Sequence, residues 1–325
     1  MSELESIKCS LCEESAITII NYAKLRLCKK HFIDFIQKRV LNTIKRYDLI
    51  KDNWKVLVAI SGGKDSAVML HILSNLSKQL NFKIIALHIN LGIGKYSENA
   101  NYNAEKICND LSIPLILLDI KNIIGMSLLE IKRKNKRPIC SICGLLKRYF
   151  INATAIETKA NVVAIGHHMD DLLSYIIKNF ILQNIYEISK LGPKTETKEL
   201  FIGRIRPLYE ISEKETSLYA FIQNLPRVEE SCPYVKESSM EFEIKRFLNN
   251  MEIKNPNIKI AFARALAKNI NFYKKEEEEI RKCIKCGMPT SRDICAFCRL
   301  IEKTMDKSIN VRDELKGIIE KLKVV

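Results

Sequence analysis

Residues 54–66 read Trp54-Lys55-Val56-Leu57-Val58-Ala59-Ile60-Ser61-Gly62-Gly63-Lys64-Asp65-Ser66. The first seven, WKVLVAI, form an apolar run of strand length, and a helical pattern begins at Ser66 and continues to residue 80. Between them lies SGGKDS, with two glycines, two hydroxyls, a cation and a carboxylate. Adjacent glycines let the backbone take positive φ and approach a ligand closely. The following helix start offers free N–H groups and the positive end of a dipole. Strand, loop and helix therefore predict a pyrophosphate cradle from Ser61, Gly62, Gly63, Lys64, Asp65 and Ser66. The spacing differs from the G-x-x-x-x-G-K-[ST] phosphate loop.

Outward from this point the pattern alternates. Residues 82–90 (FKIIALHIN), 113–120 (IPLILLDI) and 161–167 (NVVAIGH) read as further buried strands, and 201–207 (FIGRIRP) as a fifth. Residues 98–111, 141–160 and 170–182 read as helices between them. Apolar strands separated by helices imply an α/β fold with a doubly wound parallel sheet covered on both faces. Ligands in such sheets bind beyond the carboxyl ends of the strands. A helical stretch at 32–47 precedes the sheet, and helices dominate from Pro226 to residue 282, including 258–273. The run 276–279, all Glu, reads as a solvated helix face, and a last amphipathic helix runs to about Lys323.

The chain has 325 residues, a net charge of +15 and 47% hydrophobic residues. Such an excess of cations suits a polyanionic partner, although abundant Lys alone also raises it. The apolar runs stop short of the roughly 20 residues of a membrane span, and the N-terminus has no export signal, so a cytoplasmic protein is expected. Of 11 cysteines, only Cys108 stands outside a meaningful grouping. Clustering of this kind in a chain without a secretion signal points to metal rather than disulfides. Cys9-x-x-Cys12 with Cys28-x-x-His31, and Cys283-x-x-Cys286 with Cys295-x-x-Cys298, each supply four ligands for a closed, structural Zn²⁺ site. These quartets divide the chain into an N-terminal zinc module (1–34), a catalytic domain (35–280) and a C-terminal zinc module with a helix (281–325). Basic residues flank both: Lys24, Arg26, Lys29 and Lys30 at one end, and Arg281, Lys282 and Lys285 at the other.

A third group is different. Cys140-x-x-Cys143 precedes Gly144-Leu-Leu-Lys147-Arg148, and Cys232 lies far away in Ser-Cys-Pro-Tyr. Cys140 and Cys143 fall one turn apart at a helix start, where thiolate is favoured, and Lys147 shares a face with Cys143. Three thiolates can hold a [4Fe-4S] cluster with one iron open, carry a persulfide, or bind zinc. The residue types leave all three open. After the fourth strand, Gly166-His167-His168-Met169-Asp170-Asp171 falls at the same sheet edge as SGGKDS. Its aspartates suit Mg²⁺ or simply open a helix.

SGGKDS resembles the loop of the PP-loop ATP pyrophosphatases, which cleave ATP between the α and β phosphates, and GHHMDD resembles their GHxxDD segment. His168 departs from that pattern, where Asn is frequent. With CxxC, GxxKR, the distant CPY, the His88-Ile-Asn-Leu-Gly-Ile-Gly and Arg204-Ile-Arg-Pro-Leu208 segments and the flanking zinc modules, nearly the whole chain is similar to the tRNA 2-thiouridine synthetases, which act on U54 or wobble U34. The resemblance implies ATP with Mg²⁺, adenylation of O2 of a tRNA uridine, and replacement of that oxygen by sulfur. It places a [4Fe-4S] cluster on Cys140, Cys143 and Cys232 and a catalytic role on Lys147. Nucleotide contacts fall on His88, Gly166, Asp170 and Asp171, and metal or water positioning on Asp65 and Asp170. It also implies tRNA as partner, a ubiquitin-like thiocarboxylated carrier or free sulfide as donor, and a homodimer. Competing readings are an amide-forming PP-loop enzyme and a non-catalytic zinc scaffold for RNA.

Overall fold

The computed structural model describes residues 7–198, 201–228, 230–235, 238–274, 280–305 and 311–321. The charge run 276–279 and the end of the last helix beyond Lys321 lie outside them. A hairpin of β1 (Thr18–Ile20) and β2 (Leu25–Leu27) leads into α1 (Lys29–Arg46). The central unit follows as β3 (Lys55–Ile60), α2 (Lys64–Ser77), β4 (Lys83–Asn90), α3 (Gly94–Asp110), β5 (Leu115–Asp119), α4 (Ile120–Ile124), α5 (Leu128–Arg133), α6 (Ile139–Glu157), β6 (Val162–Ile165), α7 (Met169–Ile181) and β7 (Arg204–Ile205). Helices α8 (Glu213–Ile222), α9 (Met240–Lys254) and α10 (Ile258–Asn269) come next. A hairpin of β8 (Arg281–Lys282) and β9 (Pro289–Thr290), then α11 (Ala296–Met305) and α12 (Val311–Lys321), complete the chain.

The sheet is five-stranded and parallel, in the order β5-β4-β3-β6-β7. Strand order reverses between β3 and β6, which puts the ligand crevice of such sheets beyond their carboxyl ends, where SGGKDS and GHHMDD follow the strands. Side chains alternate between two cores: Val56, Val58 and Ile60 join one, while Leu57 joins the other with Ile85 and Leu87. The first core also takes Cys9, Cys28 and Phe32 of the N-terminal module, and the second takes the four cysteines of the C-terminal quartet. Each module is thus cemented onto one face of the sheet.

Helix α6 is apolar and long enough, at 19 residues, to cross a membrane. Its Ile142, Leu146, Phe150 and Ala153 are instead buried in the second core, against α5, α11 and α12. The fifth strand contracts from the expected 201–207 to Arg204–Ile205. Gly203 passes too close to the 195–197 backbone for a side chain, and Pro207 cannot extend a ladder. The helix expected from residue 98 begins at Gly94, whose positive φ turns the chain, while Ser97 Oγ accepts the Ile93 N–H. The 258–273 helix divides into α10 and a short 3₁₀ turn.

Candidate active site

The SGGKDS loop closes on itself. Ser66 Oγ accepts the Ser61 N–H at 3.0 Å and donates to the Gly63 carbonyl at 2.9 Å; Ser61 and Ser66 hydroxyls meet at 3.1 Å. Gly62 has φ +80°, and a Cβ there would lie 2.6 Å from the Ala100 backbone, so only glycine fits. A Cβ on Gly166 would come within 3.1 Å of the Ser66 backbone, so the start of β6's loop packs on the start of α2. No side chain caps α2, whose first N–H groups face the crevice as an anion cradle.

Acidic and basic groups alternate around this cradle. Lys64 Nζ lies 3.0 Å from Asp65 and 3.2 Å from Glu213. Burial opposes its charge, but the two carboxylates prevail and raise its pKa. Asp65 also accepts from Thr216 Oγ1 at 2.6 Å. His168, 1% exposed, receives the Asp171 N–H on Nδ1 at 3.4 Å as the cap of α7. Its Nε2 lies 3.4 Å from Asp171, 3.9 Å from Glu213 and 4.0 Å from Asp65. Lys245 bridges Asp171 at 2.6 Å and Glu213 at 3.3 Å. Burial disfavours both carboxylates, yet their pKa values fall: His168 and then Lys245 act on Asp171, Lys245 and then His168 on Glu213.

Asp170 is turned elsewhere. Its Oδ1 pairs with Lys259 Nζ at 2.6 Å and its Oδ2 accepts the Glu213 N–H at 2.6 Å, with both side chains nearly inaccessible. The expected open metal ligand at this position is therefore a buried anchor, because Lys259 already satisfies its charge. It holds the start of α8, and with it Glu213 and Thr216, over the loop.

Cys140, Cys143 and Lys147 ride on α6, and Cys232 arrives from the segment before α9. Cys140 Sγ lies 3.9 Å from the Tyr234 carbonyl, next to that segment. Burial raises the Cys143 thiol, Lys147 draws it back, and neighbouring Cys232 and Cys140 raise it further. Tyr96 of α3 faces the same group, its phenol raised by burial and then by Cys232 and Cys143. The three cysteines thus come together. Upstream, the Val228 N–H bonds to the Gly62 carbonyl at 2.9 Å, fastening the Cys232 arm to the phosphate loop. His88 donates from Nδ1 to the Ile60 carbonyl at 2.9 Å; burial and nearby Lys147 keep it neutral. It therefore supports the loop from below and links it to Lys147.

The terminal quartets have a different geometry. In each, among the described residues, all four ligand atoms lie within 4.8 Å of one another, which the three central cysteines do not achieve. Cys12 and Cys28 sulfurs are 3.8 Å apart, as are Cys286 and Cys295, the edge of a tetrahedron around one ion about 2.3 Å from each sulfur. His31 presents Nδ1 to Cys9 and Cys28 at 3.4 Å each. Gly287, with φ +67°, makes the knuckle after Cys286. Of the basic residues near the C-terminal quartet, Lys285 pairs with Glu302 and Arg281 lies 3.8 Å from Asp293.

Glu213, Thr216, Lys245, Lys259 and Tyr96 were not singled out by the sequence. Only the capping box of Ser212 and Glu215 announces the start of α8, and it says nothing of what α8 faces.

The family of PP-loop domains matches residues 33–239. A tRNA-5-methyluridine(54) 2-sulfurtransferase of Pyrococcus horikoshii is 38% identical over 95% of this chain and 98% of its own. The corresponding Thermus thermophilus enzyme is 33% identical over 90% of each. The structure of the U34-tRNA thiolase NcsA from Methanococcus maripaludis, solved with its [4Fe-4S] cluster, superposes with a TM-score of 0.77 at 30% identity, covering 93% of this chain and 97% of that one. With a family match over most of the chain and relatives of this identity and coverage, the chain is a member of the PP-loop tRNA 2-thiolation sulfurtransferases.

Proposed function

We propose that this enzyme adenylates O2 of uridine 54 in tRNA and replaces that oxygen with sulfur, with ATP and Mg²⁺ bound in the crevice. The observation that carries the reading is the Val228–Gly62 hydrogen bond, which sets the Cys232 arm against the phosphate loop. The relatives at 38% and 33% identity are named for U54. The wobble position is the second reading, supported by the likeness to the U34 enzyme.

The residues divide the work. The α2 amides and Lys64 hold the phosphates and stabilise the departing pyrophosphate. Asp65, with Asp171 and Glu213 beside it, positions Mg²⁺ or water, while Asp170 keeps α8 in place. The trio Cys140, Cys143 and Cys232 would hold a [4Fe-4S] cluster through three thiolates: two lie one turn apart at the start of α6, and the third belongs to the segment whose Tyr234 carbonyl lies beside Cys140. Such a cluster, when bound, offers an open iron for an exogenous sulfide. Lys147, beside the trio and His88, supplies a positive charge where the attacked C2 and its leaving AMP meet. Tyr96 stands beside Cys143 and Cys232, while Cys140 is open to solvent.

Zinc in the two quartets, a thiocarboxylated ubiquitin-like carrier or free sulfide as donor, a homodimer and a cytoplasmic location complete the proposal. An amide-forming relative would have no use for the trio. The test is position-mapped nucleoside mass spectrometry on tRNA incubated anaerobically with ATP, Mg²⁺, sulfide and the reconstituted enzyme. Sulfur at U54 supports the proposal, sulfur at U34 selects the second reading, and absence of any 2-thiouridine overturns both. The Cys232→Ser variant is expected to lose thiolation while still binding ATP.

A further inference from the structure

Residues 132–137 read Lys-Arg-Lys-Asn-Lys-Arg, five cations in six positions, and lead through Pro138 to Cys140. A charge run of this kind is ordinarily a loose, solvated face. Here it is fixed. Asn135 is buried and donates from Nδ2 to Thr304 Oγ1 at 2.8 Å; Lys134 Nζ reaches the Thr304 carbonyl at 3.2 Å. Lys132 Nζ donates to the Asn135 carbonyl at 3.0 Å. The segment is therefore pinned to α11 of the C-terminal module.

Three cations are left over. Arg133, Lys136 and Arg137 are exposed, and among the described residues none forms an ion pair; Glu130 acts on Arg133 only from longer range. Like charges held together on a rigid frame repel one another, and a polyanion relieves that repulsion. The segment contains no apolar side chain, so it lacks the hydrophobic centre of a protein interface. Guanidinium forks match phosphate oxygens in pairs. Cys140, the exposed member of the trio, follows Arg137 by three residues.

We infer that Arg133, Lys136 and Arg137 form a phosphate grip that seats the RNA backbone beside Cys140. This rests on tRNA being the substrate. The distant basic residues of the N-terminal module would anchor the tRNA body; the grip aligns the strand that enters the crevice.

The test compares the full-length zinc-loaded protein with R133Q/K136Q/R137Q and with the charge-keeping R133K/R137K, measuring tRNA affinity across a salt series. The glutamine variant is expected to bind more weakly, with the slope of log K against log salt reduced by about 2–3, as three lost phosphate contacts require. The lysine variant should keep the wild-type slope. Both should retain ATP affinity and thermal midpoint, since the side chains are exposed. An unchanged slope in the glutamine variant overturns the grip while leaving tRNA as substrate. So does an unchanged slope joined to selective loss of carrier-driven, but not sulfide-driven, thiolation, which would assign the patch to an acidic protein. Failure of the wild type to bind tRNA would remove the parent reading itself.

Discussion

Replacing Lys259 with Met tests how the crevice is held open. Lys259 is 6% exposed and Asp170 1% exposed, and their charged groups meet at 2.6 Å. Methionine keeps most of the apolar stem but removes the ammonium, leaving the Asp170 carboxylate buried with the Glu213 N–H and the more distant His168 ring, 3.8 Å away. Removing one partner of such a pair costs about 3–5 kcal/mol. That is a large part of the 5–15 kcal/mol that holds a typical domain together. In the double variant D170N/K259M no charge is stranded, and the amide oxygen of the substituted side chain can still accept the Glu213 N–H. Most of the loss should therefore return, to within about 1 kcal/mol of wild type. Urea denaturation of wild type, K259M, D170N and the double variant closes the thermodynamic cycle, and the double variant should lose less than the two single variants summed, by at least about 2 kcal/mol. If K259M unfolds within about 1 kcal/mol of wild type, or the double variant is no more stable than K259M, Asp170 is not an anchored charge.

Gly62→Ala should impair both stability and nucleotide affinity: a positive φ costs an alanine about 1–2 kcal/mol, and the clash with Ala100 adds about 1–3 more. ATP titration and thermal melting check this, and wild-type values for both would contradict the geometry. Acid should loosen the seat of α10. Burial opposes charge on Glu210, but Arg264, Arg46 and Tyr47 hold its pKa down at about 2, below the ordinary 4.5. Its contribution is therefore complete above pH 4.5 and lost as pH falls toward 2. With Arg46 and Arg264 half-exposed it amounts to about 2 kcal/mol. The pH dependence of unfolding in E210Q should be flatter than wild type across that window. Stripping metal with a chelator should release close to two zinc ions per chain and destabilise α6, whose Tyr149 stacks on Phe297 at 3.6 Å and whose Glu157 binds Arg312. Metal analysis and hydrogen exchange of residues 139–157 read this out; unchanged protection would show that the C-terminal quartet does not brace the helix.

The succession of strands along the chain and the glycine loop after the first were legible because each is contiguous in sequence. WKVLVAI is buried on both faces and SGGKDS follows it without interruption, so local pattern and local chemistry coincide. The quartets were legible for a similar reason, since each ligand pair sits on a two-residue spacing. What escaped is built from far apart in the chain. Glu213, Lys245 and Lys259 belong to three helices with no motif among them, and only packing brings their charges to Lys64, Asp171 and Asp170. Adjacent aspartates look alike in sequence, whereas in the fold Asp170 pairs with the buried Lys259 and Asp171 with Lys245. Helices α4 and α5 were missed because five- and six-residue helices carry too little periodicity to register.

The amide of Val228 grips the carbonyl of Gly62 at a point only four residues from Cys232. A displacement of the glycine pair and a displacement of Val228 are therefore not independent: one cannot shift by more than a fraction of an ångström without breaking or dragging the amide that joins them.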